Sequence, residues 1–398
     1  MSYKKSTGGV GALVVCLGVA AASLTAAATD LPPPLKPETT DVATLPPGVQ
    51  HRFIAIPYEG NMQVFNGDRG VEEGELPAGT GSNVIFSHDG TQIYLSETLW
   101  PHNNRGKRID LLTVYDTRTL TATKEVDLPG RTLVGWKIKD LELNASGTRA
   151  YVYYMHPSSS VAWVDLNKSA VAGTVEIPGC GLTFAWGDNG FASLCADGAL
   201  ATVVVPDSGA AKVTHSKPFF DVEHDPIFDT SLSDAKTGQA VFMSYTGLVY
   251  QVKLGPEPTI AAPWSINEAA GQRRAGTGGD ELAWRPGGLQ PMAWHKASNR
   301  LFVLMHPGNY WTHDAVGTEV WVLSLTNHTL LARYLVHSKP NSTVPDGTMR
   351  GIAVSQDDKP QIYLLTQDGG DTVVDASTGE LLRVISAGAG AAAVVPGV

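Results

Sequence analysis

The sequence is poor in charge. Of its 398 residues 17% are charged, against roughly a quarter in an average globular protein. Acids outnumber bases 39 to 29, and no block of Lys and Arg occurs beyond the first few residues. A phosphate-binding surface needs clustered cations, so a nucleic-acid partner is excluded. Cysteine is scarce as well: three residues are too few for a disulfide scaffold or a CxxC-type zinc site. After residue 24 no run is long and apolar enough to span a bilayer. Chemical signatures are missing too. There is no Gly-x-Ser-x-Gly elbow, no HExxH and no paired HxH. Gly276-Thr277-Gly278-Gly279 lies in no strand–helix context that would cradle a phosphate, and Gly388-Ala389-Gly390 reads as low complexity. The hydrophobic fraction, 43%, is ordinary and rules out extended disorder.

What the chain has in quantity is turn formers, 42 Gly and 25 Pro. Its first segment reads as an address. Lys4 and Lys5 precede the diluted apolar run Val10–Leu24, and Ala26-Ala27-Ala28 offers small residues for cleavage. That order predicts a secretory signal peptide over residues 1–28. Cys16 follows Val15, which is larger than a lipoprotein cleavage site accepts, so no lipid anchor is expected. Removing residues 1–28 takes away two lysines and no acid, which moves the net charge from −10 to −12. Two cysteines remain, Cys180 and Cys195, fifteen residues apart. In an oxidising compartment such a pair reads as a disulfide; two buried thiols are the alternative. Residues 29–49 hold Pro32, Pro33, Pro34, Pro37, Pro46 and Pro47 and are expected to form an extended arm, either lying on a partner or serving as a tether.

From residue 50 the chain repeats. Ser87-His88-Asp89-Gly90 leads into Gln92–Ser96, Asn144-Ala145-Ser146-Gly147 into Arg149–Tyr153, and Gln356–Pro360 into Gln361–Leu365. A second half-unit follows each time. Val114-Tyr115-Asp116 runs into Thr117-Arg118-Thr119, Trp163-Val164-Asp165 into Leu166-Asn167-Lys168, and Val373-Val374-Asp375 into Ala376–Glu380. Asp116 and Asp165 are 49 residues apart, and Ser324 and Asp375 are 51 apart. Paired strands at that period are the mark of propeller blades. The expected fold is all-β, a seven-bladed β-propeller over residues 50–388, with residues 389–398 as a small-residue tail. Nine tryptophans would pack between the blades. His295, His306 and His313 are close enough in sequence to suggest a site, but on separate strands and turns they read as hydrogen-bonded structural histidines. The Asn-x-Ser/Thr triplets at Asn144, Asn167, Asn327 and Asn341 read as chance occurrences in polar turns.

Several segments, in order, resemble the heavy (α) subunit of the quinoprotein amine dehydrogenases, the methylamine and aromatic amine types. They are Arg105–Asp110, Val114-Tyr115-Asp116, Cys180 to Cys195 with Asp197-Gly198, Trp284–Gly288, His295-Lys296-Ala297, Val354–Pro360 and Ser377–Arg383. Met305-His306-Pro307 looks closer to the aromatic type. The resemblance implies an exported, periplasmic propeller that joins small cysteine-rich light subunits, two heavy with two light chains. The light subunit of that family carries tryptophan tryptophylquinone, and electrons leave to a blue-copper protein. No cofactor, metal or catalytic residue is then expected on this chain. Cys180 and Cys195 correspond to the family's heavy-chain disulfide. Arg105, Arg108 and Arg285 are candidate interface ion-pair residues; the other reading is that they brace turns. One stretch departs from the family: Pro57–Gln63 lacks the longer phenylalanine-bearing segment placed near the substrate channel. That departure motivates one alternative, a non-catalytic binding platform that has lost its light subunit. A second alternative is a metal-dependent propeller lactonase or hydrolase, which would need Glu, Asp and Asn clustered at the mouth of the central channel.

Overall fold

Each turn-and-strand repeat folds into one antiparallel sheet, and seven such sheets follow one another around a ring. The computed structural model describes residues 44–396 apart from 58–59, 103–104, 133–137, 156, 337–348, 368–369 and 386. The expected signal peptide and most of the expected arm lie outside the described residues. Blade 1 holds Arg52–Ile56, Met62–Asn66 and Val71–Leu76, and blade 2 runs from Asn83–Phe86 to Ala122–Asp127. Blades 3 and 4 begin at Leu141–Leu143 and Cys180–Trp186, and blade 5 at Leu232–Asp234. In blade 6 two short strands, Ala283–Pro286 and Met292–His295, share the long neighbour Arg300–Gly308. Blade 7 begins at Gly351–Val354.

The recurring Asp has a mechanical role. Asp116 Oδ1 accepts from the main-chain N–H groups of Arg118 and Thr119, both at 2.9 Å. Asp165 and Asp375 repeat this with the residues two and three further on, and Asn66 does so with Asp68 and Arg69. Four residues after the polar side chain the backbone turns left-handed, at Gly70, Leu120, Ser169, His328 and Gly379. Each of these hairpins then shifts register by one residue. Side-chain acceptors of this kind cap the turn before the outer strand forms, which explains the spacing read from sequence. Asn144 organises an inner turn in the same way, accepting from Thr148 and Arg149 at 2.9 Å, and is buried.

The apolar cores lie between blades. Tyr151, Tyr153 and Trp163 of blade 3 meet Phe191, Ala201 and Val203 of blade 4. Trp321 and Leu323 of blade 6 meet Val241, Met243 and Val249 of blade 5. Gly173 stands opposite Trp163 in register, and a Cβ there would come within 2.1 Å of the indole.

The last strand corrects the sequence reading. Residues 389–398, expected as a tail, contain Ala391–Val394, which pairs antiparallel with Arg52–Ile56 and supplies the innermost strand of blade 1. The small side chains are required by close approach: a Cβ on Gly351 would lie 2.2 Å from the Gly390 carbonyl oxygen. Gln290 ties this seam from inside. Its amide donates to the Ile352 and Ala392 carbonyls at 3.0 and 3.2 Å and accepts from Ala392 N–H at 3.0 Å. At the rim, the His51 ring bridges Asp68 at 2.6 Å and Asp357 at 3.1 Å, joining blades 1 and 7.

Asp371, fully buried, holds the connection that leads to the closing strand. It accepts from the N–H groups of Thr366, Ala387 and Gly388 at 2.7, 2.6 and 2.9 Å. Burial outweighs these donors and pushes its carboxyl up to about 6. A proton is therefore held more tightly in the folded chain than in the unfolded one. Stability from this group is present below about pH 4 and falls as pH rises to about 6, by roughly 3 kcal/mol in all. Asp371→Asn should remove that slope, read as the difference between urea unfolding at pH 4.5 and pH 7. Equal slopes in the two proteins would refute the assignment.

Cys180 and Cys195 are register partners on neighbouring strands of blade 4 and form a disulfide, which closes the two-thiol alternative. Replacing both by Ala should lower the unfolding free energy by about 3 kcal/mol in the chain-entropy account, read by urea denaturation. An unchanged unfolding midpoint would show that the bridge adds nothing to stability.

Candidate functional site

An antiparallel blade sends its first and third connections to one edge and its second, with the link to the next blade, to the other. Here the two edges differ sharply. The first edge carries tight turns such as 87–91, 144–148 and 235–238. The second carries the long segments 100–108, 128–140, 216–231, 261–282 and 309–318. Function is expected on the long-loop face, since a rigid ring can display such loops without paying for them in the core.

The sequence candidates divide. Arg105 and Arg108 sit in the 100–108 loop of this face. Arg105 is exposed, and its main chain pairs reciprocally with His102. Arg108 Nε donates to buried Asp110 at 2.7 Å, so its ion pair lies within the blade. Arg285 is a correction. It is 1% exposed and offers no surface for an interface ion pair. Its Nε donates to the Gly308 carbonyl at 3.1 Å and its Nη2 to the Gly276 and Glu281 carbonyls at 2.9 and 3.2 Å. Carbonyls solvate this guanidinium in place of water, while desolvation draws its pKa down.

The three histidines do not form one site. His295 donates or accepts at Ser298 and the Asp357 carbonyl, at 2.7 and 3.0 Å, and joins blades 6 and 7. His306 is buried, and desolvation lowers its pKa. His313 stacks on Tyr245 with ring centroids 4.0 Å apart.

Along the ring axis runs a cavity of about 220 Å³. Its wall is apolar, with Ile56, Phe86, Leu232, Met292 and Val354 among the lining residues. Its charges are matched: Lys139 pairs with Glu142, and Lys296 with Asp234 at 3.3 Å. Although burial works to raise Asp234, Lys296 and Thr237 hold its carboxyl below the usual range. Among the described residues one compact group of possible metal ligands occurs, Cys180, Cys195 and His215, and its two sulfurs are bonded to each other.

The feature that sequence reasoning missed is an aromatic cluster on the long-loop face, between blades 5 and 6. Phe228, Tyr245, Tyr310, Trp311 and His313 meet there at centroid distances of 4.0 to 6.4 Å. Asp225 fixes its floor, accepting from Ser244 Oγ at 2.7 Å and from Thr246 N–H and Oγ1 at 2.9 and 2.6 Å. The Tyr310 hydroxyl donates to the His224 carbonyl, and the Arg285 guanidinium lies 5.5 Å from the Tyr310 ring centroid. Burial, then Asp229 and Asp314, push the Tyr245 phenol up to about 12, so it stays protonated. Beside the cluster opens a cleft of about 800 Å³ bordered by Asp197, Asp221, Glu223 and Arg274. A further recess of about 290 Å³ is lined by Met155, Phe220, Val222 and Ile227. The available signal was Tyr310-Trp311-Thr312-His313, in a ten-residue loop where most blades make shorter links.

Among the described residues this face presents aromatic, acidic and apolar side chains, the chemistry of a binding surface. Two of the tryptophans, Trp284 and Trp321, are occupied in packing. Trp284 and Trp321 lie 5.5 Å apart, both rings against the Arg333 guanidinium, and the Trp321 N–H donates to Glu319. That arrangement suits a structural stack better than a cofactor made from paired indoles. Among the described residues no helix is long and apolar enough to cross a membrane.

The propeller has a counterpart in the solved dihydro-heme d1 dehydrogenase NirN, with a TM-score of 0.52 over 90% of this chain and 78% of that one, at 12% identity. That likeness concerns the fold. Sequence relatives are more specific. The methylamine dehydrogenase heavy chain of Methylobacillus flagellatus is 28% identical over 84% of this chain and 79% of its own length. Those of Methylophilus methylotrophus and Paracoccus versutus are 28% and 29% identical, covering 79% and 81% of this chain and 73% and 72% of theirs. Residues 56–396, from the last residue of the strand Arg52–Ile56 to just past the closing strand, match the family model for the methylamine dehydrogenase heavy chain. The chain belongs to the methylamine dehydrogenase heavy chain family.

Proposed function

We propose that this chain is the heavy subunit of a periplasmic quinoprotein amine dehydrogenase that converts primary amines to aldehyde and ammonia. In this reading residues 1–28 direct export and residues 29–49 form an arm, whose last residues lie on blade 2: Leu45 N–H donates to the Arg118 carbonyl at 2.7 Å. The carrying observation is the family match across residues 56–396, which takes in all seven blades. Tryptophan tryptophylquinone, held on a cysteine-rich light subunit, would supply the redox chemistry. This chain's contribution is to frame that subunit, with two heavy and two light chains per assembly, and to help seat a blue-copper acceptor.

The long-loop face suits such a role. It is rigid beneath, through Asp225 and Arg285, and apolar above, through Trp311 and Met155. The lactonase alternative has less support, since the carboxylates in the axial cavity are each matched by a lysine. Arg105, exposed on the same face, is the remaining candidate for an interface ion pair.

Co-expression of this chain with a small cysteine-rich light subunit of the family gives the test. A stable complex is expected, staining for quinone and reducing a dye on addition of a primary amine. Elution of this chain alone, with no small partner at micromolar concentration, would favour the binding platform without a light subunit.

A further inference from the structure

Trp311 is 55% exposed, and among the described residues it is the one Trp, Tyr or Phe so open to solvent. It also sits at φ +66°, in the left-handed region that bulky side chains avoid. Neither core packing nor turn propensity accounts for this: a glycine would make the same turn without strain. Strain at an exposed residue persists where surrounding structure enforces it, and it points to use. The surroundings here are rigid. Tyr310 lies 4.6 Å and Tyr245 5.9 Å from the Trp311 ring centroid. Tyr310 is in turn held by His224 and backed by Arg285, and Tyr245 by His313 and Phe228. An indole so fixed gives up little freedom when it is covered.

The rim is predominantly acidic. Asp314 follows three residues after Trp311 with its side chain 82% exposed, and Asp221, Glu223 and Asp197 border the adjoining cleft. Arg274 is the one Lys or Arg among that cleft's lining residues.

We infer that Trp311 anchors a protein subunit whose contact surface is an apolar pocket ringed by Lys or Arg. This rests on the reading of the chain as a heavy subunit, and its occupant is the small companion chain. An aromatic anchor at the centre of a desolvated contact carries a large share of binding, while the acidic rim sets approach and orientation.

The test uses the full chain co-expressed with its small companion and compares wild type with Trp311→Gly, Trp311→Phe and Asp314→Lys. Trp311→Gly should melt, as isolated heavy chain, at the wild-type temperature or above, because glycine adopts φ +66° freely. Its complex should be roughly 30-fold weaker or worse, in line with loss of a central aromatic. Trp311→Phe should recover part of that loss. Asp314→Lys should slow association and flatten its salt dependence. If Trp311→Gly binds as wild type does, or melts several degrees lower, the anchor role is overturned while the heavy-subunit reading stands. If wild type holds no companion, both are overturned.

Discussion

Everything in this molecule depends on one pairing, that of Phe53–Ile56 with Ala391–Ala393 and Val394. An open stack of blades would leave an apolar face bare at each end. Joining the two ends in one sheet removes both faces together, and the seven inter-blade cores become equivalent in kind. The seam is reinforced at three levels: Gln290 on the inside, Asp371 on the connection, and His51 at the rim. A change at any of these acts on the whole ring because no blade completes its core alone.

Closure also frees the long-loop face from structural duty. Hydrogen bonds of the strands and the Asp and Asn turns hold the ring, so segments 216–231, 261–282 and 309–318 can take irregular paths. Their paths are still determined. Asp225 binds the 244–246 turn, and Arg285 gathers carbonyls from residues 276, 281 and 308 into one knot. A buried guanidinium solvated by carbonyls serves here as a strut, and it makes the aromatic cluster above it stiff.

Much of this was legible in the sequence, and for physical reasons. Asp116, Asp165 and Asp375 cap their turns with short local hydrogen bonds, so their spacing reports the blade period directly. The same is true of the disulfide, whose partners are strand neighbours fifteen residues apart. What escaped depends on distant contacts. The run Gly388–Ala393 looks like low complexity because its packing demands small side chains, a demand visible only when Gly351 and Gly390 are seen in contact. Arg285 looked like a surface residue because its acceptors, two in the 261–282 segment and one at the end of the strand Arg300–Gly308, converge on it only in the fold. The split inner strand of blade 6 hides for a related reason: both pieces pair with one long neighbour.

The closing strand has a consequence for how the chain reaches its fold. Phe53 and Val394 are 341 residues apart. Bringing such distant segments together costs on the order of 5 kcal/mol in loop entropy before any contact repays it. Blades 2 to 7 can assemble their own hairpins as they are made, yet blade 1 stays short of its inner strand until Ala391–Val394 has been made. The ring therefore forms late and slowly, as expected for a fold dominated by non-local pairs. A chain with that kinetic profile keeps the inner edge of blade 1 unpaired until its last strand arrives.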